Sequence, residues 1–335
     1  MESNSLIITQ TPMRVTLGGG GTDVLWYSKL QGGAWISAAI NKYVYIFLNK
    51  TDDPDVLKIF DGSENYTVSR INEIKNPIVY ECFKLVGIRN GVQVTTISEV
   101  SGRSGLGGSG AFEVGLIHAL CKYSGKVIQP LTIGKQAADI EIKKLKKSVG
   151  PQDQLIAAIG GINYFEIDKK GEIKAEPLKL SKKIIKRLEE NLIYFSTGIN
   201  RDTESIHGDL KKKSKSDSSD SAAIIESMDK IKELGQRVKK YLLKGEVDNF
   251  GKSLHEHWLI KKTLTGKMTS SKIDEWYERG IDYGALGGKI MGAGGGGWFV
   301  FYVNNNHEKF RVKMEKLGLI PQYARFDFEG TKLLT

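Results

Sequence analysis

The chain has 335 residues, 40% of them hydrophobic and 26% charged, with a formal net charge of +10. That profile fits one large globular domain or two modest ones. Cys82 and Cys121 have neither metal-ligand nor redox spacing, no apolar run reaches the roughly 18 residues of a membrane span, and the start MESNSLIITQTP lacks a signal peptide's basic-then-apolar order, so we expect a cytoplasmic protein outside the membrane.

Residues 5–17, SLIITQTPMRVTL, alternate well enough for a strand running into a glycine turn at Gly18 to Gly21. The stretch 33–50, GAWISAAINKYVYIFLNK, predicts one or two strands, and GVQVTTISEV another that feeds a glycine-rich loop. Ala111 to Tyr123 predicts a helix stopped by Ser124-Gly125; being apolar all round, it should be buried. A second helix starts at Pro130. Residues 160–178 predict a hairpin turning at Lys170-Gly171, and RLEENLIYFSTGINR a strand entering a loop. The low-complexity GDLKKKSKSDSSDS should be exposed and mobile. Two helices are then predicted before Gly266, a glycine loop into a strand from Gly284, a helix through Lys316 and a final strand, YARFDF. This order, without internal repeats, predicts an α+β fold of two domains, 1–177 and 178–335, divided near Pro177.

The basic excess raises nucleic acid as a partner. The lysines, however, alternate with glutamates, as in IEIKKLKKSVG, and aromatics are not interleaved for stacking. A small anionic substrate explains the excess equally well, so charge alone decides nothing; we expect no nucleic acid on the strength of the motifs below.

The stretch SGRSGLGGSGAFEVGLIHAL, from Ser101, is the most informative. A strand, a glycine turn and a helix N-terminus form an anion site, because the first N–H groups of a helix have no intrahelical partner. Gly105, Gly107 and Gly110 match G-x-G-x-x-G, but no acidic residue follows at the distance of about 20 residues that a dinucleotide fold needs. No Gly-Lys-Ser/Thr follows for a Walker loop either.

GRSGLGGSGAFEVGL resembles the central motif of the GHMP kinase superfamily, the small-molecule kinases named for galactokinase, homoserine kinase, mevalonate kinase and phosphomevalonate kinase. The family's preceding proline is absent, Val100-Ser101-Gly102 occupying that region. TPMRVTLGGGGTD resembles the family's first motif, with Arg14 and, nine positions on, Asp23; GGKIMGAGGGGWFVF resembles the third. The resemblance implies the two-domain GHMP fold, ribosomal-protein-S5-like in its first domain and ferredoxin-like in its second. It implies ATP and Mg²⁺ as cofactors, with phosphates cradled by Arg103, Ser104, Gly105, Leu106, Gly107, Gly108, Ser109 and Gly110. Ser109 and Glu141 would hold the metal, with Glu113 a weaker alternative. Asp153 matches the catalytic aspartate, whose carboxylate can take or orient the attacking hydroxyl's proton. Arg14 would stabilise the phosphoryl group and keep Asp153 ionised.

Within the superfamily, STGINR, LHEHWLIKKTLT and GALGGKIMGAGGGG resemble the D-glycero-D-manno-heptose 7-phosphate kinase subgroup. That implies phosphorylation of the anomeric C1 hydroxyl to a 1,7-bisphosphate, for nucleotide-activated heptose and surface polysaccharide. The sugar would lie against Gly20, Gly21, Thr22, Asp23 and Gly294. Its own phosphate would meet Arg201, Lys261 (or Lys262) or Lys289. A C1 kinase of unphosphorylated galactose or fucose and, further off, an NAD(P)-dependent dehydrogenase remain alternatives, and pairing into a homodimer is left open. Residues two apart on a helix face different sides, so His255 and His257 are read as structural or substrate-lining, not as a metal pair.

Overall fold

A long antiparallel pair is the frame on which the site is built. The computed structural model of the protein describes residues 6–102, 104–199, 203–214 and 219–334. In it β1 (Ile7–Gly18), the short helix α1 (Leu25–Gln31) and β2 (Gly33–Lys50) come first. The stretch predicted as one or two strands is one strand of 18 residues. It stays continuous because it serves different partners along its length: Gly33–Ala38 pairs with β6 (Ile162–Ile167), while Val44–Lys50 pairs with β5 (Val92–Ser98).

Residues 51–90, for which the pattern predicts no element, hold β3 (Leu57–Phe60), β4 (Asn65–Val68) and helix α2 (Pro77–Val86). Helix α2 has readable ends: Asn76 accepts the Ile78 N–H at 3.0 Å, proline opens the first turn, and Gly87 closes it in the left-handed conformation. The predicted apolar helix is α3 (Gly108–Tyr123), beginning three residues before Ala111. Then come α4 (Pro130–Asp139), a π-helical turn (Ile140–Lys144), α5 (Gln152–Ile159) and the β6–β7 hairpin, with β7 at Ile173–Pro177. Gly171 makes the hairpin turn at φ +89°.

In the second half α6 (Lys182–Asn191) leads into β8 (Leu192–Ser196). Helices α7 (Thr203–Lys213), α8 (Ser219–Lys244), α9 (Val247–Leu264) and α10 (Ser271–Asp282) follow, then β9 (Gly287–Ile290), β10 (Trp298–Tyr302), α11 (His307–Glu315), β11 (Ile320–Gln322) and β12 (Lys332–Leu333). Two expectations are corrected. Gly208–Lys213 of the low-complexity stretch is helical, while 215–218 lie outside the described residues. YARFDF is not a strand: only Phe326 bridges, to Ile40, because Asp327 accepts the N–H groups of Glu329 and Gly330 and turns the chain out of the ladder.

The first sheet runs β12-β1-β2-β5-β3-β4, with β6 and β7 attached through β2; the second runs β11-β8-β10-β9. Because β12 pairs with β1, residues 332–333 lie in the first sheet rather than the second. Helix α3 packs on β1 and β2 and is enclosed by α2, α4 and α5, so its apolar surface is buried on every side, as its composition predicts. Phe195, Trp258, Phe299, Phe301 and Phe310 form a separate aromatic core under the second sheet. No described helix is long and apolar enough to cross a membrane.

Leu116→Ala tests the central place of α3. That side chain is fully buried, so its truncation should cost about 2–5 kcal/mol and lower the urea midpoint, followed by circular dichroism.

Candidate active site

The site is assembled around Arg14 on β1. A register shift between Pro12 and Met13 precedes it, a device that re-aims side chains beside functional sites. Arg14 is only 4% exposed. Its Nε and Nη2 reach Asp153 Oδ1 at 2.8 and 2.7 Å, and Nη1 donates to the Gly105 carbonyl. Its backbone N–H donates to the Leu106 carbonyl at 2.9 Å. One residue thus fastens the strand, the glycine loop and α5 together.

The loop is held from its other side by Trp298, at the start of β10, whose N–H donates to the Ser104 carbonyl at 2.9 Å. The third glycine motif therefore abuts the loop that precedes α3, although the two lie in different halves of the sequence. Gly107 caps α3 at φ +76°, and a Cβ there would come within 3.0 Å of the Asp153 carboxyl carbon. Glycine is required at that point for both conformation and space. Ala111 N–H already bonds the Gly107 carbonyl, so the N–H groups of Gly108, Ser109 and Gly110 precede the helix's own ladder and suit an anion. Arg103 lies outside the described residues.

Behind the loop a chain of polar groups runs from the exposed Ser109 into the core. Ser109 Oγ donates to Glu141 Oε1 at 3.0 Å, and Lys147 Nζ reaches the same oxygen at 2.7 Å. The Gln154 amide donates to Glu141 Oε2 at 2.6 Å and to Glu113 Oε2 at 3.1 Å. Glu113 is 0% exposed; burial, then repulsion by Glu141, pushes its pKa well up, and its other oxygen has no partner among the described residues. Glu113 thus lies deeper than Glu141 and shares its proton-donating amide.

Asp153 sits in the first turn of α5, whose N-cap is Pro151, so it is not itself the cap. Both arginine contacts go to Oδ1. Across from it, Asp23 Oδ2 accepts the Gln152 N–H at 3.2 Å. Burial, and secondarily the Asp153 charge, push Asp23 up to about 6. Gly150 is required here, since a Cβ would fall 2.1 Å from Asp23 Oδ2.

These groups face one cavity. It is lined by Arg14, Gly20, Gly21, Asp23, Gln152 and Asp153 on one side, and by His257, Lys261, Lys289, Gly292 and Ala293 on the other. Lys289 is 3% exposed; desolvation, then repulsion by Arg14, lowers it to about 7. Its Nζ lies 3.3 Å from His257 Nδ1, and burial followed by the two nearby lysines holds His257 well below its usual range, so the imidazole is the acceptor. Lys261 Nζ donates to the Ile290 carbonyl at 3.4 Å and to the Gly292 carbonyl.

Other sequence-predicted residues fall elsewhere. Thr22 Oγ1 lies 2.8 and 3.0 Å from the Gly19 and Ala34 carbonyls, facing backbone rather than the cavity. Gly294 packs on Met268, Lys262 pairs with Asp274 at 3.4 Å, and His255 Nδ1 contacts the Tyr277 hydroxyl. Arg201 lies outside the described residues. The sequence reading omits Trp26, Met228 and Ile231, which complete the wall, and Lys147 and Gln154 behind it. A side chain that enters the site only through tertiary packing leaves no local spacing to read.

The family described as "GHMP kinases N terminal domain" matches residues 72–161, and "GHMP kinases C terminal" matches 238–314. A D-glycero-alpha-D-manno-heptose 7-phosphate kinase from Campylobacter jejuni is 28% identical, covering 97% of this chain and 98% of its own. A mevalonate kinase from Methanocaldococcus jannaschii is 25% identical over 92% of this chain and 95% of its own. Among solved structures, a D-glycero-D-manno-heptose 1-phosphate kinase from Bacteriodes thetaiotaomicron is 25% identical, superposes with a TM-score of 0.80, and covers 98% of this chain and 99% of its own. The first match contains the glycine loop and the second contains Trp298, which meets it, and the chain belongs to the GHMP kinases.

Proposed function

We propose that this GHMP sugar kinase transfers the γ-phosphoryl of ATP to the anomeric C1 hydroxyl of D-glycero-D-manno-heptose 7-phosphate, giving the 1,7-bisphosphate used for nucleotide-activated heptose and surface polysaccharide. The observation that carries the reading is the cavity itself: a carboxylate oriented by a buried arginine faces two buried lysines, Lys261 and Lys289. Likeness over nearly the full length of a heptose 7-phosphate kinase supports the sugar. So does Gly21, where a Cβ would find only Met228 Cε, at 3.8 Å, leaving room for a longer sugar.

In the reaction the C1 oxygen attacks the γ-phosphorus in line, the bond to the bridging oxygen of ADP breaks, and the hydroxyl proton passes to Asp153. Arg14 occupies Oδ1, so Oδ2 is the oxygen offered to the sugar hydroxyl. Asp23 accepts a second sugar hydroxyl. The N–H groups of Gly108 to Gly110 hold the phosphates, and Lys289 faces the charge that gathers on the transferring group. Mg²⁺ fits the oxygen donors present, Ser109 Oγ and Glu141, and would take its remaining ligands from phosphate and water. Bound there, it would neutralise phosphate charge.

ADP release measured with Mg-ATP on heptose 7-phosphate, mannose 6-phosphate, galactose and fucose tests the substrate. Turnover restricted to the heptose phosphate is expected; turnover on a free sugar instead would replace this reading with that of a free-sugar C1 kinase. Asp153→Asn should lower kcat by about 10²–10⁴-fold while leaving the KM for ATP within a few-fold, and undiminished turnover would remove Asp153 from proton transfer. The pH profile of kcat/KM should be a narrow bell. Asp23 is a carboxylate only above about 6, and Lys289 an ammonium only below about 7, so activity rises through the first value and falls through the second. In Lys289→Arg, whose charge does not titrate, the basic limb should disappear.

A further inference from the structure

Beside the cavity is a second pocket, between α1, the loop after the π-helical turn and the end of α7. The two share a wall made of Trp26 and Val149. Four lysines converge on the second pocket: Lys29, Lys146, Lys147 and Lys211. Lys147 is tied to Glu141, and Lys211 Nζ lies 3.4 Å from Ser148 Oγ. Lys29, Lys146 and Lys211 have no carboxylate within 4 Å among the described residues. That is unlike the exposed helix faces, where Lys143 sits on Asp139 at 2.9 Å, Lys186 on Glu190 at 3.7 Å and Lys230 on Glu226 at 2.6 Å. Like charges gathered without counter-charge cost free energy unless an anion joins them.

Two further observations point the same way. The Trp26 indole N–H is buried and has no hydrogen-bond partner among the described residues, so the shared wall carries an unused donor. Lys146 holds φ +54°, one of two non-glycine residues with positive φ among those described; such strain gathers at ligand sites. The strained turn lies between Glu141 and Asp153. Lys289, by contrast, is close enough to Arg14 to feel its charge and stands at the reacting end.

We propose that the Lys29, Lys146 and Lys211 pocket holds the phosphate at the far end of the sugar, with the sugar passing between Gly21 and Trp26 from Asp153 to the lysines. This rests on the reading above that the substrate is a sugar phosphate. It makes these lysines the residues that distinguish a phosphorylated from a free sugar, while Lys261 and Lys289 serve the reacting end.

The test is calorimetric binding of heptose 7-phosphate and of free heptose to the full chain, with magnesium and a non-hydrolysable ATP analogue present. The unmodified enzyme should bind the phosphorylated sugar at least about tenfold more tightly, the scale of charge-assisted bonds to phosphate. In Lys146→Asn with Lys211→Gln the ratio should fall toward one while analogue affinity stays within twofold; asparagine tolerates the left-handed backbone. Lys146→Arg with Lys211→Arg should recover most of it, separating charge from misfolding. Equal affinity for both sugars in the unmodified enzyme, or a ratio that survives the Asn/Gln pair, overturns the assignment. Tight lysine-dependent binding of heptose 7-phosphate without turnover would uphold the pocket and refute the substrate reading instead.

Discussion

The geometry of this kinase depends on one ion pair, between the buried Arg14 and the partly exposed Asp153. Arg14 joins Asp153 by two nitrogens, the glycine loop by a third, and the Leu106 carbonyl by its backbone. A buried guanidinium without its carboxylate would be an uncompensated charge, which costs several kcal/mol. Strand, loop and helix are therefore held in a single arrangement, and the Asp153 carboxylate is part of what holds them. The same bonds that orient Asp153 also place the N-terminus of α3.

A second constraint lies behind the first. Glu113, Glu141 and Gln154 are buried and form a connected polar chain that reaches the surface through Ser109 and Lys147. One amide donates to both glutamates, so neither can shift without unpairing the other. Across the cavity Lys261 lies against the Ile290 and Gly292 carbonyls, and Lys289 against the neutral imidazole of His257.

Much of this was legible in the sequence, and the reason is local. Arg14 and Asp23, Ser109 and the glycines around it, and Glu141 and Asp153 each belong to short motifs whose spacing survives as text; the fold then brings Arg14, Asp23 and Asp153 to one cavity and joins Ser109 to Glu141. Helix α2 has caps, Asn76 and Gly87, that could have been read from sequence. Trp26, Lys147 and Gln154 could not, because each acts through a partner supplied by packing. Tyr323–Phe328 misled for a related reason: alternation there is real, but the side chain of Asp327 competes for the backbone and wins. Thr22, though inside the first motif, is spent on holding Gly19 and Ala34.

The pairing of β12 with β1 bears on how the protein is made. Thr11 and Thr331 meet hydroxyl to hydroxyl at 2.9 Å across 320 positions, and the Leu334 N–H donates to Ile8. During synthesis β1 therefore has one bare edge for as long as it takes the ribosome to reach residue 333. Such an edge is a template for pairing with another chain. Until then the nascent polypeptide offers the backbone of Thr9 and Gln10, on the strand that also carries Arg14, to a neighbouring chain.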